Sequence, residues 1–125
     1  MSGLLNLKRG VADTSDIVRV VEAISTNGAI SIPDRGDKTV FITKGSGGAY
    51  TLAAPTTTVH DGVRITIVST TAFAHTVTAT TIGTNDGGTA SDVGTFGAAK
   101  GNNFTVEAYA GDWWVIGTPV GVTFA

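Results

Sequence analysis

Two histidines, His60 and His75, are the only imidazoles in a 125-residue chain without cysteine. His60 precedes Asp61 beside a turn signal and His75 begins a strand pattern, so neither shows the i, i+2 or i, i+4 spacing of a metal-binding pair. No local Ser-His-Asp arrangement accompanies them, and hydrogen-bonding or surface roles are expected. Gly45-Ser46-Gly47-Gly48 matches neither the phosphate-cradling G-x-x-x-x-G-K-[ST] loop nor the G-x-S-x-G elbow, and reads as a flexible connection between strands at 39–43 and 49–53. Arg35-Gly36-Asp37 follows Pro33-Asp34 and reads as a polar turn rather than an adhesion tripeptide. Asn85, Asp86 and Asp92 carry oxygens suited to calcium, but not at the spacing of a D-x-[DN]-x-[DN]-G loop. No metal, cofactor or catalytic residue is expected.

The remaining residues with chemical potential are aromatic. Trp113 and Trp114 are adjacent, and in a strand neighbouring side chains point to opposite faces. One tryptophan is therefore expected in the core, against Ile65 and Val77. The other is expected at an interface, or as a platform for a sugar ring.

The elements that must hold these residues are strands. Val63, Ile65 and Ile67 alternate with Arg64 and Thr66, and Val77 and Ala79 alternate with Thr76, Thr78 and Thr80. This period of two predicts a central hairpin, with Asp61-Gly62 as the tight turn leading into it. A second hairpin is expected at Asn27-Gly28, pairing Ala23 with Ile32 and Ser25 with Ile30 and ending at Pro33. The strand before that turn is apolar on both faces, with Ile17 and Val21 on one and Val18, Val20 and Ile24 on the other, so cover on both sides is expected. From Ile82 to Asn103 the chain is rich in glycine and short polar runs, and a long surface excursion is predicted. Phe104, Val106 and Ala108 then form a third hairpin with 113–116 across Gly111-Asp112, and Val120–Phe124 adds an edge strand. Asn103-Phe104-Thr105 formally matches a glycosylation acceptor and reads as the start of that strand.

The chain is the size of one domain, and the expected fold is all-β: a single antiparallel β-sandwich or jelly-roll-like barrel over 17–125, preceded by an extended N-terminal arm over 1–16. In that arm Leu4, Leu5 and Leu7 are followed by Lys8 and Arg9, with no acidic residue before Asp13. Its leucines could dock on a neighbouring subunit while the two cations meet an acidic rim. The absence of cysteine rules out a disulfide framework and a thiolate zinc site. A net charge of -2 offers no general attraction to nucleic acid or to an anionic membrane. No apolar run approaches the roughly 20 residues needed to span a bilayer, and no signal-peptide core is expected at the N-terminus. Only 14% of residues are charged, against about 25% in average soluble domains. A surface covered by partner protein, where charge is depleted, accounts for this, as does a coat of strand threonines.

The succession VVEAISTNGAISIP, TVFITKGSGGAYTLAAP, DGVRITIVSTTAFAHTVTA and FTVEAYAGDWWVIG resembles a family of small structural proteins of tailed bacteriophages, of head-decoration (cement) or head-fibre type. The likeness runs from about Val18 to Gly117 and leaves most of the arm outside. It implies a non-enzymatic virion protein, made in the host cytoplasm and bound as a homotrimer to the major capsid protein on the capsid exterior. On that reading Leu4, Leu5, Leu7, Lys8 and Arg9 form a capsid-binding arm, and Trp113, Trp114 and Phe124 surround the trimer contact. A tail-fibre or baseplate module that binds host-surface saccharide is the alternative.

Overall fold

Several of the described strands are written by a two-residue alternation of buried and exposed residues, but each of the first six pairs with a strand that is not its neighbour in sequence. The computed structural model describes residues 19–83 and 90–125, among which there is no helix. The strands are β1 (Arg19–Ile24), β2 (Gly28–Ala29), β3 (Asp37–Ile42), β4 (Ala49–Leu52), β5 (Arg64–Ser69), β6 (Thr76–Gly83), β7 (Ala90–Phe96), β8 (Asn103–Tyr109), β9 (Asp112–Val120) and β10 (Val122–Phe124).

They form two mixed sheets of five strands. The first has the order β1-β3-β5-β8-β9 and the second β2-β4-β6-β7-β10. In each, the first two pairings are parallel and the last two antiparallel. The sheets are stitched together where Trp113 and Trp114 pair in parallel with Ile82 and Gly83. From β1 to β6 the chain alternates between sheets, laying each strand parallel to the one two elements earlier. The result is a short two-sheet coil, closed by the antiparallel strands β7 to β10.

This corrects the purely antiparallel expectation. β5 and β6, expected as a central hairpin, lie in different sheets, with β5 between β3 and β8 and β6 beside β4 and β7. Asn27-Gly28 is likewise no hairpin turn: Ala23 pairs with Phe41 instead of Ile32, and β2 pairs with β4. Strand β2 is over by Ala29, well before Pro33. The expected glycine-rich excursion contains a full strand, β7, which pairs with β6 on one side and β10 on the other. The third hairpin occurs as β8–β9, turning at Ala110-Gly111 rather than at Gly111-Asp112, and the closing strand as β10, with Val120 belonging to β9 instead. The expected arm, 1–16, lies outside the described residues, as do Asn85 and Asp86.

The corners explain why coiling wins over hairpins. Residues 43–48 and 70–75 are six-residue connections of equal length, and they stack on one another. Thr71 Oγ1 donates to the Lys44 carbonyl at 2.8 Å, Thr76 N–H to the Gly48 carbonyl at 2.8 Å, and Gly48 N–H to His75 Nδ1 at 3.0 Å. One corner earlier, Asn27 Oδ1 accepts the Ala49 N–H at 3.1 Å. Polar side chains thus satisfy backbone groups that a corner would otherwise leave without partners.

The core lies between the sheets. Val40, Ile42, Ile65, Ile67, Phe104, Val106 and Trp113 line it from the first sheet, and Tyr50, Leu52, Val77, Ile82 and Phe96 from the second. Phe96 meets Phe104 across the layers at 5.8 Å between ring centres, and Phe104 meets Phe124 edge-on at 5.2 Å, within the range where aromatic pairs add to burial.

Candidate functional site

The hairpin that carries the tryptophans turns on two residues. Ala110 and Gly111 both have positive φ, 54° and 82°, the pattern of a type I′ turn. Gly111 takes this without steric cost, while Ala110 is held by its N–H donating to Asp61 Oδ1 at 3.0 Å. The turn sets the register Trp113↔Ala108, Trp114↔Glu107 and Ile116↔Thr105. Alternation then sends Trp113 inward, fully buried, with Nε1–H donating to the Ala53 carbonyl at 2.8 Å. Trp114 points outward and is 45% exposed.

Around Trp114 the outer face of the first sheet forms a shallow hollow of about 380 Å³ lined by Glu107, Tyr109, Trp114 and Ile116. Trp114 Nε1–H is already engaged by the Tyr109 carbonyl at 3.2 Å, so the indole offers its faces rather than its donor. Glu107 Oε1 accepts from Arg64 Nε at 3.1 Å and Nη2 at 2.5 Å. This ion pair continues a row of alternating charge across the sheet, Arg19, Asp37, Arg64 and Glu107, which ends at Trp114. The next row is Val21, Thr39, Thr66, Thr105 and Ile116, with Thr66 and Thr105 joined through their hydroxyls at 2.9 Å. Val21 is 71% exposed, so the apolar second face expected to be covered is open to solvent on β1 in the described structure.

The chain has no match among protein-family models, curated proteins or solved structures.

The other residues singled out by type have structural partners. His75 is buried between the rings of Tyr50 and Phe96. Because its Nδ1 accepts a peptide N–H, its proton sits on Nε2 and is given to Thr71 Oγ1 at 3.0 Å. Desolvation, with the Lys44 charge adding to it, holds its pKa below the ordinary 6.5. His60 Nδ1 accepts the Thr56 N–H at 2.8 Å and closes a loop. Arg35 and Gly36 form a bend before β3, and 45–48 belong to a corner. Phe124 is half-buried against Phe104, in the closing strand rather than near the hollow. Among the described residues no three His, Cys, Asp or Glu side chains converge to hold a metal.

Sequence reasoning missed two features. Lys38 is buried, with Nζ bonded to Glu22 Oε1 and Ser31 Oγ, each at 2.6 Å, and to the Ser31 carbonyl at 2.9 Å. The alternation Lys38, Val40, Ile42 was its signal. Tyr50 is also buried, and its hydroxyl has no hydrogen-bond partner among the described residues. It borders a polar hollow of about 430 Å³ at the corner formed by residues 22–29.

Proposed function

We propose that this chain is a non-enzymatic virion structural protein that binds the outer surface of a phage capsid and stabilises the shell, acting as a homotrimer. The observation that carries this reading is the exposed apolar cluster of Tyr109, Trp114 and Ile116 on a stiff, weakly charged two-sheet scaffold. An exposed tryptophan among few free charges is the composition of a protein-binding hot spot. The resemblance of the segments between Val18 and Gly117 to phage head proteins supplies the partner, the major capsid protein. A protein that binds the expanded shell and not its precursor stabilises it by linkage, and several identical contacts let each remain modest.

The contact surface on this reading is centred on Trp114. Trp113 is in the core and Phe124 packs on Phe104, so neither offers a free ring to a partner. Leu4, Leu5, Leu7, Lys8 and Arg9 remain proposed as the arm. A saccharide platform is favoured less, because the hollow presents few polar groups to a sugar and the Glu107 carboxylate is already bonded to Arg64.

Sedimentation with purified phage capsids tests the reading. The chain should pellet with expanded shells and raise their resistance to heat or chelator. A chain that stays in the supernatant, or that binds glycans on an array and ignores shells, would overturn it.

A further inference from the structure

We infer that the polar hollow at the first corner of the coil binds a neutral polyhydroxylated ligand, a single sugar ring or a smaller polyol, with the buried Tyr50 hydroxyl among its hydrogen-bond partners. The site is separate from the face around Trp114 and does not depend on the capsid reading.

The hollow stands at the open end of the coil. β1 and β2 are the outermost described strands of their sheets, so the first corner has a described turn of the coil on one side only. Residues 22–29 bend around a space of about 430 Å³, within the roughly 300–1,000 Å³ of small-molecule sites, and Tyr50, from the next turn of the coil, borders it. Tyr50 is 2% exposed, and its hydroxyl has no partner among the described residues. A buried hydroxyl left without a bond is costly, and such groups in native proteins nearly always find a partner. The hydroxyl lies against Gly48, where a Cβ would stand 2.7 Å from its oxygen, so that position has no side chain to satisfy it.

The rim carries both donors and acceptors. Ser25 and Thr26 are exposed and bring hydroxyls that can do either. Asn27 Oδ1 accepts the Ala49 N–H at 3.1 Å, which orients the side chain and leaves its amide NH2 as a donor. Glu22 Oε1 is bonded to Lys38 Nζ at 2.6 Å, and its Oε2 has no bond among the described residues.

This set selects against charge. Lys38 is 3% exposed and matched by Glu22, so an anion would meet a carboxylate and no free cation among the residues lining the hollow. A divalent cation would find a single carboxylate, already paired, where calcium takes six to eight oxygen ligands. Tyr50 is the one ring among the described lining residues, and its burial leaves no open face on which a nucleobase could stack. An uncharged molecule with several hydroxyls, each able to donate and accept, fits what is left. A free sugar and the end residue of a surface glycan offer the same groups.

The test is amide NMR on the isotope-labelled full chain, titrated separately with D-glucose, D-galactose, N-acetyl-D-glucosamine and glycerol. At least one of the four should shift the amides of residues 23–29 and saturate. Tyr50→Phe, which should melt at or above the parent temperature, should weaken that binding about fivefold or more. Asn27→Asp keeps the acceptor for the Ala49 N–H and loses the NH2, and should weaken it to a similar degree. Trp114→Ala should leave it unchanged. A glycan array separates the two sources: retention on glycans ending in the bound sugar assigns the hollow to a chain terminus, and binding of the free molecule alone assigns it to a soluble ligand. The absence of a saturable shift with all four probes would mean a hydroxyl satisfied by water only, and would overturn the inference. Equal binding by Tyr50→Phe, shifts confined to Trp114 and its neighbours, or movement of the same amides by calcium or inorganic phosphate in place of the four probes would also overturn it. Shell sedimentation of Tyr50→Phe should match the parent, so this site and the capsid reading fail independently.

Discussion

Gly48 gives its backbone N–H to Nδ1 of His75 across 3.0 Å, joining equivalent points of two successive corners. The acceptor must be an unprotonated ring nitrogen, so the corner stack depends on a neutral imidazole. The folded pKa lies below the ordinary 6.5, which means that the unfolded chain takes up the proton first as pH falls. The contribution of His75 is therefore complete above about 6.5 and declines as pH drops toward the folded pKa. The melting temperature should fall between pH 7.5 and 5. A His75→Asn variant should be less stable at pH 7.5 and show a flatter profile. An unchanged slope in that variant would assign the pH dependence to other groups.

Glu22 and Lys38 form a lopsided pair, because Lys38 is buried while the Glu22 side chain is 44% exposed. Removing the carboxylate leaves a buried ammonium whose remaining partner among the described residues is Ser31, so Glu22→Ala should cost about 2–4 kcal/mol in urea unfolding. Lys38→Met keeps the volume and removes the charge, and should lie within about 1 kcal/mol of the parent. The reverse order of the two variants would show that the ion pair itself is the main source of stability.

The Ala110 backbone is left-handed, which costs an L-residue roughly 1 kcal/mol. Ala110→Gly or Ala110→Asn should raise the unfolding free energy by up to about 1 kcal/mol without shifting the hairpin register. Asp61→Ala removes the acceptor for the same N–H, and should lower stability by about 1 kcal/mol.

The tryptophans should separate stability from association. Trp113→Ala opens a cavity in the core and orphans the Ala53 carbonyl, for a loss of about 3–5 kcal/mol. Trp114→Ala should change stability by under about 1 kcal/mol while abolishing self-association in light scattering. Equal destabilisation by the two would mean that Trp114 packs rather than recognises.

Tyr50 keeps a hydroxyl without a partner among the described residues, and a Cβ at Gly48 would lie 2.6 Å from its ring. Tyr50→Phe should therefore be neutral or stabilising by up to about 1 kcal/mol, and Gly48→Ala should cost about 1–3 kcal/mol. Thermal melts of the two variants check both signs.

Strand existence and facing were legible for most strands, with β7 hidden in a glycine-rich stretch as the exception. Val63, Ile65 and Ile67 were set apart from Arg64 and Thr66, Trp113 and Trp114 fell on opposite faces, and the all-β class followed, because alternation is a local property of an extended chain. Partner choice was not legible. Ile65 and Ile67 alternate in the same way whether β5 pairs with β6 or with β3, and no local signal separates a hairpin loop from the six-residue corner at 70–75. The corner is favoured by contacts with the previous turn, at Lys44, Gly48 and His75, which exist only once the coil is wound. Asn27-Gly28 misled for the same reason, since Asn27 serves the Ala49 N–H from a different corner rather than closing a turn of its own. The hollow at Trp114 likewise needs the cross-strand register that sets Glu107 beside the indole. Local chemistry decided which side chains turn in or out, and long-range hydrogen bonding decided which of them meet.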